Sequence, residues 1–158
     1  MIDAFKSLLD NARSILITTH KSPDGDAIGS AAAFSRFVSA YGKKNHILLP
    51  DAPAENLMSF LDGVAYSFFD DFDLLEDHYD LMICLDYNHP HRVGDKMKSL
   101  VSELNVPKIM IDHHPNPTEF CDLTISRPEV CSTAQLLFEV LQECELHTDL
   151  TREACGAL

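Results

Sequence analysis

Short apolar, β-branched runs alternate along this chain with segments whose apolar residues recur at helical spacing, and that alternation restricts the fold more than any other feature. Ser14 to Thr19 reads SILITT, His46 to Pro50 HILLP, Asp80 to Asp86 DLMICLD and Lys108 to Asp112 KIMID. Runs of this kind fit strands buried on both faces. CDLTIS, Cys121 to Ser126, is a further candidate strand. Ile2, Phe5, Leu8, Leu9 and Ala12 place a helix over residues 2–13. Phe34, Phe37 and Val38 place another over Ala27 to Tyr41, with Gly42 as its C-terminal cap. Helices are also expected over 54–61 and 92–104. Ser132 and Thr133 open and cap one whose apolar side holds Leu136, Leu137, Val140 and Leu141, and a last one starts near Thr151. The pattern predicts an α/β fold, a mainly parallel sheet with helices on both faces.

At 158 residues the chain fits one domain, or one and a fragment of a second. No run of about 18 apolar residues occurs, so no membrane span is expected. The start, MIDAFKSLLDNARS, carries acids and lacks the apolar core of a signal peptide. Cys84, Cys121, Cys131, Cys144 and Cys155 are an odd number without CxxC spacing, which points to reduced thiols in a cytoplasm. A formal net charge of -13 repels phosphate backbones, so duplex DNA is not an expected partner. The same excess of acid can gather carboxylates around cations.

In parallel sheets ligands bind beyond the carboxyl ends of the strands, and three of the expected strands end in titratable groups. The first runs into His20-Lys-Ser-Pro-Asp24-Gly-Asp26, the second ends at Asp86, the third at Asp112-His113-His114. Taken singly, each has a plain structural reading. Pro-Asp-Gly makes a turn, Asp26 caps the helix that follows, Asp86 sits in a turn, and Pro115 stops a strand. Packing alone calls for no gathering of three acids and two or three His at one sheet edge. Imidazole and carboxylate together suit first-row divalent metals such as Mn(II). Successive side chains diverge, so His113 and His114 should play different parts, one ligating and one facing substrate. Gly29-Ser30, near the helix start, would let a phosphate approach free N–H groups, and Arg92 could hold a phosphate. His89 and His91 read as solvated. The patterns of an EF-hand, a P-loop, a dinucleotide fingerprint and a GxSxG elbow are all missing.

At these residues the sequence resembles the DHH phosphoesterase superfamily. HKSPDGDAIGSA resembles its first motif, LDYNHPHRVG its second and IDHHP the motif that names it; STAQLLFEVL resembles the helix that follows in the NrnA-type oligoribonuclease/pAp-phosphatase branch. His20, Gly25 and the leading helix favour that branch over RecJ-type nucleases and family II pyrophosphatases. The resemblance implies a Rossmann-like three-layer sandwich and a hydrolase using two Mn(II) ions. His20, Asp24 and Asp86 would hold one ion, and Asp26, Asp86 and His113 the other, with Asp86 bridging. His114 would contact the scissile phosphate and serve as acid, and Asp112 would orient the neighbouring His.

The superfamily places another ligating aspartate after the helix expected near Thr151, followed by a second, substrate-binding domain, so the chain is expected to be an amino-terminal piece. The leading expectation is a phosphoesterase of short single-stranded RNA or 3′-phosphoadenosine 5′-phosphate. A cyclic-dinucleotide phosphodiesterase or a pyrophosphatase would use the same residues, and a metal- or nucleotide-binding module without turnover is the reading from another class. A homodimer stays open.

Overall fold

A computed structural model of the chain describes residues 1–72, 78–146 and 156. Side chains alternate across a strand, and the apolar runs use that alternation to supply two separate cores. Ile15, Ile17, Ile47, Leu49, Ile83, Leu85, Ile109 and Ile111 belong to one buried cluster. Leu16, Leu48, Met82, Cys84 and Met110 belong to the other. A strand with both faces buried reads as a continuous apolar run, as these do in the sequence.

The strands are β1 (Ser14–Thr18), β2 (Lys44–Leu49), β3 (Tyr66–Phe68), β4 (Leu81–Leu85), β5 (Lys108–Asp112) and β6 (Leu123–Ser126). They form one sheet in the order β3-β2-β1-β4-β5-β6, every pairing parallel. Phe5 and Leu9 of α1 (Ile2–Asn11), Phe34 and Phe37 of α2 (Gly25–Ala40), and Leu136 and Leu137 of α4 (Thr133–Glu143) pack into the first cluster. Met97, Leu100 and Val101 of α3 (Gly94–Glu103) pack into the second. The result is the expected three-layer α/β sandwich. Burial of each such large apolar side chain contributes roughly 1.5–3 kcal/mol.

Several boundaries differ from the sequence expectation, each for a local reason. Helix α2 starts at Gly25, two residues early, because the Asp24 carboxylate accepts the N–H groups of Asp26 and Ala27 at 3.1 Å. Asp24, not Asp26, is therefore its N-terminal cap. At the other end Gly42 takes φ +81°, donating to Ser39 O at 3.0 Å while Lys43 donates to Val38 O at 2.8 Å. This Schellman closure needs the left-handed conformation that glycine adopts without strain. The segment expected as a helix over 54–61 is a 3-10 helix, Glu55–Leu61, and another 3-10 turn, Pro90–Val93, precedes α3. Strand β3 was not expected. It has three half-buried residues at the sheet edge, too few for a period-two pattern to register. The helix expected near Thr151 lies outside the described residues. Among the described residues no helix is long and apolar enough to cross a membrane.

The order places β1 beside β4, the point where the chain switches from building the sheet one way to building it the other. The crevice beyond the carboxyl ends of those strands is the general ligand position in such sheets.

Candidate metal centre

The loops after β1, β4 and β5 meet at that crevice. His20, two residues past β1, pairs Nδ1 with its neighbour's carbonyl, Lys21 O, at 2.8 Å. Its Nε2 then stands 3.4 Å from Asp86 Oδ2 and 3.8 Å from Asp24 Oδ1. His113 repeats the arrangement. Its Nδ1 meets Val130 O at 3.3 Å, and its Nε2 lies 3.6 Å from Asp26 Oδ2 and 3.8 Å from Asp86 Oδ1. In both rings Nδ1 is tied to a backbone carbonyl, which can only accept, and Nε2 is turned toward the carboxylates; metal-binding histidines are commonly oriented in this way.

Asp86 stands between the two histidines. It takes φ +64°, a left-handed conformation that Asp tolerates better than most residues, so the chain turns at once after β4. Its side chain is nearly buried, with Oδ2 toward His20 and Oδ1 toward His113. The next residue anchors the turn. Tyr87 is fully buried, its hydroxyl 2.7 Å from Thr18 Oγ1 and its ring stacked on Phe120. Asn88 then joins two loops, donating to Pro115 O at 2.7 Å and accepting from the Thr118 N–H and hydroxyl.

Asp112, at the end of β5, is fully buried and binds its neighbour twice: Oδ1 is 2.8 Å from His114 Nδ1, and Oδ2 accepts the His114 N–H at 2.9 Å. His113 and His114 do diverge, one toward Asp26 and Asp86 and the other onto Asp112. The ring of His114 also lies 3.7 Å from Asp86 Oδ1, through the nitrogen already bonded to Asp112.

Among the described residues two groups have donor atoms close enough to share an ion: His20, Asp24 and Asp86, and separately Asp86, His113 and His114. The first is the trio that the resemblance implies for one ion. The second contains His114 where Asp26 was expected. Asp26 approaches through His113, and both its oxygens already accept N–H groups from the start of α4, Thr133 to Oδ2 at 2.7 Å and Ala134 to Oδ1 at 2.9 Å.

The electrostatics follow from crowding acids at a partly dry edge. Burial works against the charged Asp86, but His20 and the Thr133 hydroxyl hold its pKa below the usual carboxylate value. Burial alone would lower the His20 pKa; the adjacent Asp86 and the Lys21 carbonyl raise it on balance. Burial, then the Asp86 charge, raise Asp26 despite the α4 N–H groups. Burial likewise raises Asp112 despite its bonds to His114. Among the described residues these acids form ion pairs with histidine only, not with Lys or Arg. The His-to-carboxylate separations of 3.4–3.8 Å exceed hydrogen-bond length. Imidazole nitrogens facing carboxylates that no Lys or Arg neutralises, at that spacing, fit a divalent cation between them.

Other expected positions fall elsewhere. Ser30 is fully buried and donates to Ala27 O at 3.2 Å within α2. Because that helix begins two residues earlier than expected, Ser30 is past the free N–H groups and does not offer a phosphate contact. Arg92 is exposed, with its carbonyl accepting the Lys21 N–H at 2.7 Å. His89 serves the backbone, Nδ1 accepting the His91 N–H at 3.1 Å, and its ring stacks on His91. Cys84 and Cys144 are buried, and Cys131 is exposed. Cavities of about 480 and 660 Å³ open around Ser14 and Lys44, at the amino ends of β1 and β2 and away from these acids.

Sequence reasoning missed Thr133. Read only as a helix opener, it donates its hydroxyl to Asp86 Oδ1 at 2.8 Å. The signal available was two hydroxyl residues in succession, Ser132 and Thr133, of which one suffices to cap a helix.

The family model described as "DHH family, N-terminal domain" matches residues 14–158. A bifunctional oligoribonuclease and PAP phosphatase NrnA of Thermus thermophilus is 32% identical over 128 residues, covering 80% of this chain and 36% of that protein. An uncharacterised protein of Methanocaldococcus jannaschii is 31% identical over 135 residues, 84% of this chain and 26% of its own length. The crystal structure of an exopolyphosphatase-related protein from Bacteroides fragilis superimposes with a TM-score of 0.92 at 33% identity, over 99% of this chain and 47% of that one. The chain thus spans about a quarter to a third of the curated relatives it matches.

Proposed function

The chain belongs to the DHH family, and from that premise we propose that it carries the metal-binding half of a phosphoesterase that hydrolyses short single-stranded oligoribonucleotides or 3′-phosphoadenosine 5′-phosphate. The observation that carries this reading is the division of Asp86, one oxygen toward His20 and the other toward His113. A carboxylate so placed can serve two cations at once. His20, Asp24 and Asp86 would hold one Mn(II), and Asp26, Asp86 and His113 the second. Asp26 is preferred to His114 there because the His114 nitrogen nearest Asp86 is occupied by Asp112. Such ions supply an activated water at neutral pH and neutralise charge on the phosphoryl group.

The remaining work falls to His114 and Asp112. With Nδ1 bonded to Asp112, the His114 ring has Nε2 left to hold a proton for the departing oxygen. Asp112 would fix the position of the ring without touching substrate. The likeness to an oligoribonuclease and PAP phosphatase supports the substrate class; the full enzyme's choice among substrates would lie with chain outside this domain. A cytoplasmic setting agrees with the unpaired thiols.

The test is hydrolysis by the Mn(II)-loaded protein of di- and trinucleotides, 3′-phosphoadenosine 5′-phosphate, a cyclic dinucleotide and pyrophosphate. Release of nucleoside monophosphate or adenosine monophosphate from the first two supports the proposal. Preference for either of the others would reassign the substrate. Tight Mn(II) binding with no turnover on any of the four would leave a binding module.

A further inference from the structure

We infer that Thr133 is a positioning residue for the metal centre, setting with the first turn of α4 the rotation of the two carboxylates, Asp86 and Asp26, that the ions would share. The inference rests on the assignment of those two residues as ligands. Three bonds converge from one helix end. The Thr133 hydroxyl donates to Asp86 Oδ1 at 2.8 Å, its N–H to Asp26 Oδ2 at 2.7 Å, and the Ala134 N–H to Asp26 Oδ1 at 2.9 Å. Asp26 and Thr133 are 107 residues apart, so the first and last segments of the centre are joined here.

The chemistry of each bond favours this role over ordinary capping. Ser132 already caps α4, its hydroxyl accepting the Gln135 N–H at 3.0 Å. Thr133 is fully buried, and its only hydroxyl hydrogen is committed to Asp86. The terminal torsion of an aspartate is broad, so a free Asp86 carboxylate could turn and present its oxygens elsewhere. A bond to a charged acceptor is stronger than a neutral one. Holding Oδ1 leaves Oδ2 facing His20. Asp26 is gripped by two of the N–H groups that lack partners within the helix, at its positive end. A hydroxyl or N–H uses one acceptor position of a carboxylate oxygen, and others remain for a cation.

The experiment is calorimetric titration of Mn(II) into the full chain and into Thr133→Val, Thr133→Ser and Ser132→Ala. Thr133→Val keeps the shape and removes the donor, and should weaken Mn(II) binding by about 10–100-fold, the usual cost of losing a group that orients a ligand. Thr133→Ser should restore wild-type affinity. Ser132→Ala should lower the thermal midpoint and leave affinity unchanged. Wild-type affinity in Thr133→Val, or equal weakening in the Val and Ser variants, overturns the inference. If Thr133→Val does not fold by circular dichroism, Thr133→Ser decides: affinity kept supports the role, and affinity lost overturns it. A wild-type chain that takes up no Mn(II) overturns the metal centre itself, and the positioning role with it.

Discussion

Asp112 holds His114 at two points, the ring Nδ1 at 2.8 Å and the backbone N–H at 2.9 Å, so a single buried carboxylate sets both the position and the tautomer of its neighbour. That relationship separates His114 from His113, whose Nε2 faces Asp26 and Asp86 instead. His114→Ala should therefore keep Mn(II) and lose turnover by about 10²–10⁴-fold, the usual contribution of a general acid. Calorimetry beside a nucleotide-release assay checks this. Loss of metal as complete as in an Asp86 variant would move His114 into the ligand set.

Mn(II) should raise the thermal midpoint of the protein, because a ligand that binds only the native state stabilises it, by about 2.7 kcal/mol at 100 times its dissociation constant. His113→Ala should shrink that shift far more than His89→Ala, since His89 serves the turn before α3. Equal shifts in the two variants would remove His113 from the centre.

Asp86→Asn and Asp86→Ala should both abolish tight Mn(II) binding, since both groups of candidate ligands include Asp86. They should differ in stability. Asn accepts the left-handed backbone at φ +64° and Ala does not, so the Ala variant should be less stable by roughly 1 kcal/mol. Urea denaturation of the metal-free variants measures the difference.

Mn(II) affinity should rise with pH through the ordinary histidine range and somewhat above it. In the metal-free chain Asp86 helps to hold the His20 pKa above its ordinary value, so an incoming cation must displace a proton that is retained to higher pH. The sign is uptake of metal with release of protons. Titrations in buffers of different ionisation enthalpy give the number released, and a count of zero near neutral pH would contradict it.

Gly94 takes φ +82°, and a Cβ there would meet Lys21 Cδ at 3.2 Å. Gly94→Ala should cost about 1–2 kcal/mol from the left-handed backbone. It should also disturb the contact between the loops after β1 and β4. Thermal unfolding checks the first effect; the second appears as weaker Mn(II) binding.

The buried strands were legible in the sequence because their side chains face a core on both sides, which leaves unbroken runs such as Ile15 to Ile17 and Leu81 to Leu85. The acids and histidines that end three of those runs were legible for a related reason. A parallel sheet brings the carboxyl ends of its strands to one edge, so residues from three distant segments must meet there. The three-layer architecture and the meeting of His20, Asp24, Asp86 and His113 are thus properties of the chain's pattern. Tertiary structure alone decided which atom faces which. Asp26 turned from capping its own helix to gripping the start of α4, because Asp24 had taken the cap. Ser30 lies buried inside α2, which begins two residues early, and the edge strand Tyr66–Phe68 owes its existence to pairing with β2. Thr133 reached Asp86 across 47 residues of sequence. Such contacts depend on the angle at which two elements pack, and no local pattern records that angle.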